Sequence, residues 1–179
     1  MANTFLLSKD IMVGKSLVEQ DLLEVAKDIE TKAVQFNCKL ILPLDVICGK
    51  SIEDREPIEF DINDISKNYM ILDLGTKTTA LINQEIKNSK MVLWNGPVGA
   101  FEYKSYERAT NEIALNIKQN VKQFGINALA GGGDTVSAIK NANAEDGFDY
   151  ISNAGGAFLE WLEGNQSPGV IALRENNLS

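Results

Sequence analysis

The order of segments limits the fold more than any other feature of this chain. Four apolar runs, at 69–75, 91–94, 126–130 and 148–152, each close on glycine or turn residues, and each is followed by a stretch of helical spacing. The turns fall at Gly75, at 95–97, at 131–133 and at 154–156. Short runs that are apolar without alternation suit strands buried on both faces, and helices between them suit parallel crossovers. The expected class is therefore α/β: a three-layer, doubly wound parallel sheet of the Rossmann-like kind. Ligands in such sheets sit beyond the carboxyl ends of the strands, so the four turns are expected to line one crevice.

The earlier part of the chain adds further elements. Val18, Leu22, Val25, Ile29, Ala33 and Phe36 recur at helical spacing behind a capping-box pattern, Ser16 with Glu19, which predicts a helix over 17–36. Residues 40–47 read as a strand with Pro43 placing it towards an end. Residues 51–67 are acidic, contain Pro57 and read as an excursion with a short edge strand near 58–60. No internal repeat or linker divides the chain.

Composition removes several functions. With 179 residues the chain is long enough for one domain with a sizeable core. A net charge of −8 argues against nucleic acid as a partner, which would need a basic stripe. It does not argue against nucleotides. There is no histidine, which removes Ser-His-Asp and Cys-His catalysis and histidine-held metals. Cys38 and Cys48 are too few for a disulfide scaffold and are expected as buried free thiols. No apolar run is long enough to span a bilayer, so no membrane partner is expected and the location expected is cytoplasmic.

The chemistry gathers at Leu129-Ala130-Gly131-Gly132-Gly133-Asp134-Thr135. Consecutive glycines can aim several backbone N–H groups at one point, and a helix N-terminus behind them adds about half a positive charge. That is an anion cradle. An acid inside it would repel a phosphate unless Mg²⁺ lay between them, since Mg²⁺ takes one or two carboxylates and completes its shell with phosphate oxygens and water. One reading is thus a metal–nucleotide site, with Asp134 towards the metal and Thr135 towards a phosphate. The other is a glycine turn in which Asp134 or Thr135 caps the helix. Agreement among the four turns favours the first. Trp94 and Phe101 read as core, Lys77 and Lys140 as surface charges, and Asp73 as a buried acid that ties neighbouring loops together.

Trp94-Asn95-Gly96-Pro97-Val98-Gly99-Ala100-Phe101-Glu102, the Gly131–Thr135 turn, and 152–157 followed by Leu159-Glu160-Trp161-Leu162-Glu163-Gly164 together resemble the nucleotide-binding, C-terminal half of the phosphoglycerate kinase family. Ala2-Asn3-Thr4-Phe5-Leu6 and Val13-Gly14-Lys15-Ser16 match stretches early in that half. The resemblance covers essentially 1–179. It implies phosphoryl transfer between 1,3-bisphosphoglycerate and ADP, giving 3-phosphoglycerate and ATP. It implies Asp134 as ligand of the nucleotide's Mg²⁺, with Gly131, Gly132, Gly133 and Thr135 at the phosphates. Asn95 would reach the phosphate region, Leu72 and Pro97 would wall the adenosine, and Glu102 would hold the ribose hydroxyls. The amides of Gly155 and Gly156 would face the group in flight.

Asn153, Ala154 and Phe158 stand where the family has threonine, glycine and serine, and Thr76 where it has proline. The family's phosphoglycerate-binding N-terminal domain and the first part of the C-terminal half are expected to be absent. Three further expectations follow. The chain alone would not catalyse transfer; its partners would be an adenine nucleotide and the missing half; and an exposed truncated edge would invite self-association. A Mg–nucleotide or interaction module without turnover is the alternative. A dinucleotide-binding dehydrogenase domain is disfavoured, because no G-x-G-x-x-G follows an early strand.

Overall fold

The computed structural model describes residues 1–153, 155–164 and 171. Its helices are α1 (Ala2–Ser8), α2 (Leu23–Gln35), α3 (Thr76–Asn88), α4 (Arg108–Phe124), α5 (Gly133–Asn141) and α6 (Gly155–Leu162). Its strands are β1 (Asp45–Gly49), β2 (Ile58–Asp61), β3 (Met70–Leu74), β4 (Met91–Asn95), β5 (Asn127–Gly131) and β6 (Tyr150–Ser152). The class is α/β with a Rossmann-like parallel sheet and packed helices.

The strands form two sheets. β4, β5 and β6 run parallel in that order, joined through α4 and α5. The helical crossovers allow this, since parallel neighbours need long connections. β2, β1 and β3 pair antiparallel, in that order, with a register shift between Ile47 and Cys48. Here the expected parallel pairing gives way. The link from β1 to β2 carries no helix and is too short for a crossover, so the chain turns back on itself, and residues 62–69 then carry it past β1 to set β3 antiparallel on the other edge.

Two apolar clusters hold the molecule together. Trp94, Ala128, Ala130 and Ile151 of the parallel sheet pack with Ile86 of α3, Ile113 and Ile117 of α4, and Ile139 of α5. Leu6, Val13, Val46, Cys48, Ile62 and Ile65 form the second cluster beside the antiparallel sheet. Strand alternation sends Met91 and Leu93 to the sheet face opposite Trp94. That face is open: Met91 is 59% exposed, and Leu93 and Tyr150 are exposed with it. On α2, Leu22 just before its start, Val25, Ile29 and Phe36 just after its end are exposed too.

Several boundaries differ from those read in the sequence. The helix expected over 17–36 begins at Leu23, preceded by a 3-10 turn at Gln20–Leu22. Ser16 is not its cap. The Ser16 hydroxyl donates to the Val13 carbonyl and accepts the Ile71 amide at 2.8 Å, so it stitches the chain to β3 instead. The strand expected over 40–47 starts at Asp45. Pro43 has no N–H for a ladder, and the amides of Leu44 and Asp45 donate to the Thr78 hydroxyl at 2.9 and 3.1 Å. The expectation for Cys38 also fails in part, for Cys38 is exposed while Cys48 is buried. Ala154 and most of the apolar run at 170–173 lie outside the described residues.

Candidate functional site

In-register pairing of the parallel sheet sets Asn95 beside Gly131 and Gly131 beside Ser152 at the carboxyl edge. The turns that follow these strands are tied to one another. The Gly132 amide donates to the Ser152 carbonyl at 3.0 Å, and the Gly96 amide donates to the Thr135 hydroxyl oxygen at 2.7 Å. Gly96 (φ +106°) and Gly132 (φ +99°) adopt backbone shapes that a side chain resists. Trp94 fixes its own turn from below, its indole N–H donating to the Gly96 carbonyl at 2.6 Å.

Gly155, at the start of α6, closes the cluster. A methyl group there would lie 2.7 Å from the Gly132 Cα and 3.2 Å from the Asn95 Oδ1, so the α6 N-terminus and the β5–α5 turn touch backbone to backbone. At Gly133 and Gly156 a methyl would meet nothing within 4 Å, so their backbone faces open space. Asp134 is exposed in the first turn of α5, next to Thr135, which is 1% exposed. Thus Asn95, Gly131, Gly132, Gly133, Asp134, Thr135, Gly155 and Gly156 share one rim.

Leu72, Asn95 and Pro97 line a cleft of about 480 Å³ together with Leu74, Val98 and Ala100. The Ala100 amide donates to the Leu72 carbonyl at 2.8 Å, which fixes the loop to β3. Glu102 lies elsewhere. It borders a second depression with Asp54, Arg55 and Tyr103, beyond the turn at Phe101. Gly75 does not join the rim either. It ends β3 in the antiparallel sheet, where its amide donates to the Asp45 carbonyl at 2.9 Å.

Among the described residues no group of three or more Cys, Asp or Glu side chains is placed to hold a metal. Asp134, exposed in the first turn of α5 directly after the glycine turn, suits an ion that completes its shell with phosphate oxygens and water, as Mg²⁺ does. The cradle itself needs no cationic side chain.

Two residues that brace the surrounding elements, Asp45 and Thr110, carry no local signal in the sequence, whereas Asp73 is the buried acid expected there. Asp45 takes the Lys77 and Thr78 amides at 2.8 Å each and so caps α3. Burial alone would raise the Asp45 pKa, but the hydrogen bonds from Thr78 and Lys77 outweigh it and hold the carboxyl below its ordinary value. Thr110 accepts the Val98 and Gly99 amides at 3.3 Å each. Asp73 is fully buried, and burial pushes its carboxyl up to about 6.

The profile of the phosphoglycerate kinase family matches residues 1–165. The chain belongs to the phosphoglycerate kinase family. It is 45% identical over 174 residues to the phosphoglycerate kinase of Cereibacter sphaeroides, covering 97% of this chain and 44% of that protein. It is 45% identical over 177 residues to that of Azorhizobium caulinodans, again covering 97% of this chain and 44% of the relative. The solved phosphoglycerate kinase of Coxiella burnetii superposes with a TM-score of 0.86 at 36% identity, over 92% of this chain and 42% of that one. The chain therefore spans somewhat under half the length of the phosphoglycerate kinases it matches. No helix among the described residues is long and apolar enough to cross a membrane.

Proposed function

We propose that this chain is the nucleotide-binding, C-terminal part of a cytoplasmic glycolytic phosphoglycerate kinase. The whole protein transfers a phosphoryl group between 1,3-bisphosphoglycerate and ADP, giving 3-phosphoglycerate and ATP. The observation that carries this reading is the convergence of three turns, after β4, β5 and β6, on one rim at the sheet's carboxyl edge.

The roles are those the family resemblance implies, and the shared rim supports them. Asp134 holds Mg²⁺, which when bound neutralises phosphate charge. The amides of Gly131, Gly132 and Gly133 and the α5 N-terminus face the phosphates. Thr135 accepts the Gly96 amide, and its own hydroxyl proton remains to donate to a phosphate oxygen. Asn95 reaches the same region. Leu72 and Pro97 wall the adenosine in the cleft they share, and the resemblance gives the ribose hydroxyls to Glu102, which borders a separate depression and would have to turn toward that cleft. Gly155 and Gly156 present the α6 N-terminus to the group in flight, and Gly156 is open on that side. Such chemistry asks the protein mainly to position groups and neutralise charge.

The fragment alone binds Mg–nucleotide without turnover, because the phosphoglycerate site belongs to the missing half. Its open sheet face, with Met91, Leu93 and Tyr150, and the apolar stripe of α2 suit contact with that half, or self-association in its absence. Calorimetric titration with Mg·ADP tests the reading. Binding by the chain and its loss in Asp134→Ala are the expected results, with ATP formation only once a separately made N-terminal half is added. Equal binding by Asp134→Ala, or turnover by the chain alone near that of a complete kinase, would overturn it. Sedimentation reports self-association: a stable compact monomer would remove that part.

A further inference from the structure

Asp73 lies in β3 with 1% of its surface exposed. Its Oδ2 accepts the Ala109 amide at 3.0 Å, in the first turn of α4. Its Oδ1 has no hydrogen-bond partner. What faces Oδ1 is the loop after β4. A methyl group added at Gly99 would collide with Oδ1 and would lie 2.8 Å from the Asp73 carboxyl carbon and 2.7 Å from the Tyr106 carbonyl oxygen. Gly99 therefore passes between the Asp73 carboxyl and the backbone leading into α4, offering only Cα–H to an oxygen that wants a donor.

The same loop is anchored on both sides of this point. The Val98 and Gly99 amides donate to the Thr110 hydroxyl oxygen, and the Ala100 amide donates to the Leu72 carbonyl. Leu72 precedes Asp73 in the chain, and Thr110 follows Ala109, which Asp73 holds. Asp73 thus sits between the loop's two anchors, next to Leu72 in the chain and hydrogen-bonded to Ala109, the neighbour of Thr110. The charged groups that face it are both on α4. Arg108 favours its charge and Glu112 opposes it. The loop at 95–101 contributes no titratable side chain, and neither does Ile47, the Asp73 partner on β1.

We propose that Asp73 is a positioning residue, which holds the loop carrying Asn95 and Pro97 against the N-terminus of α4 through its contact at Gly99. The loop's importance rests on the nucleotide reading above, but its placement does not. The unmatched Oδ1 supplies a signature that a merely space-filling side chain lacks. The carboxyl, pushed up by burial to about 6, titrates at mildly acid pH, and the loop registers the change.

The test is a pH titration of the whole ligand-free chain from 8 to 5, followed by amide nuclear magnetic resonance. The Gly99, Ala100, Ala109 and Thr110 amides are expected to shift together with one midpoint near 6, and Asp73→Asn is expected to abolish that shared transition while keeping the loop's native shifts. Mg·ADP affinity supplies the second readout: about tenfold weaker for Asp73→Ala and within about threefold of native for Asp73→Asn, which keeps the acceptor for Ala109. If Asp73→Ala does not fold, the native chain and Asp73→Asn decide alone. Loop amides that do not titrate, or a transition that survives in Asp73→Asn, would overturn the proposal. A shared loop transition in a chain that binds no Mg·ADP would leave Asp73 as the loop's anchor and remove the nucleotide reading instead.

Discussion

The Gly96 amide and the Thr135 hydroxyl oxygen lie 2.7 Å apart, and that one bond joins the loop after β4 to the first turn of α5. Thr135 is buried and Gly96 only partly exposed, which limits the water that could replace the bond. Thr135→Val keeps the volume and removes the acceptor, leaving the Gly96 N–H unmatched, which costs about 1–3 kcal/mol. Thr135→Ser keeps the oxygen and is expected to retain most of the stability. Urea unfolding of both variants checks this, and a loss in Thr135→Ser with none in Thr135→Val would mean that the methyl, not the hydroxyl, is what the site needs.

The two glycines that open α6 are expected to answer oppositely to the same change. At Gly155 a methyl would press on the Gly132 backbone, which cannot yield without moving the β5–α5 turn. Overpacking of this kind costs about 1–3 kcal/mol. At Gly156 the space is open, and replacing a helical glycine by alanine gains about 0.5–1 kcal/mol. Melting temperatures should therefore fall in Gly155→Ala and hold or rise in Gly156→Ala. No fall in Gly155→Ala would place the α6 start somewhere other than against Gly132, and a fall in Gly156→Ala would mean that its side is not open.

These relations differ in how far the sequence shows them. Asn95, Gly131 and Gly155 were legible, because each ends a continuously apolar run, and a parallel sheet must bring such ends to one edge. The cap on α3 was not. Asp45 and Thr78 are 33 residues apart, and nothing near either marks the other as partner. Thr110 reads as an ordinary helix residue, although two loop amides converge on it. The antiparallel first sheet was hidden for another reason. β1 and β3 are as apolar as parallel strands, and only the short link from β1 to the acidic edge strand β2 betrays the direction. Ser16 shows the limit of local patterns. Its capping-box spacing to Glu19 is real, but a bond to the Ile71 amide takes the hydroxyl first.

Asp45 predicts a pH-dependent contribution. Its carboxylate receives the Lys77 and Thr78 amides and the Thr78 hydroxyl, and its folded pKa is held below the ordinary 3.8. The stabilisation is therefore present above about pH 4 and is lost as pH falls through the folded value. Asp45→Asn removes the charge and one acceptor, and is expected to cost about 1–3 kcal/mol at pH 7. The difference from the native chain should shrink as pH falls below 4. Asp54, Asp61 and Asp146 are lowered as well, so the comparison between the two chains, not the native curve alone, isolates Asp45.

The two thiols report on whether the antiparallel sheet stays closed. Cys48 is fully buried among Leu6, Val13 and Val46, and burial pushes its thiol up to about 12. Thiolate is the reactive form, so Cys48 is doubly protected, by access and by protonation. Cys38, past the end of α2, is exposed. A thiol reagent at pH 8 should label Cys38 promptly in the native chain and Cys48 only after denaturant is added. Cys48 labelling at a rate close to that of Cys38 would mean that the β1 core opens readily, as it would if the apolar stripe on α2 needs a covering partner to keep the sheet shut.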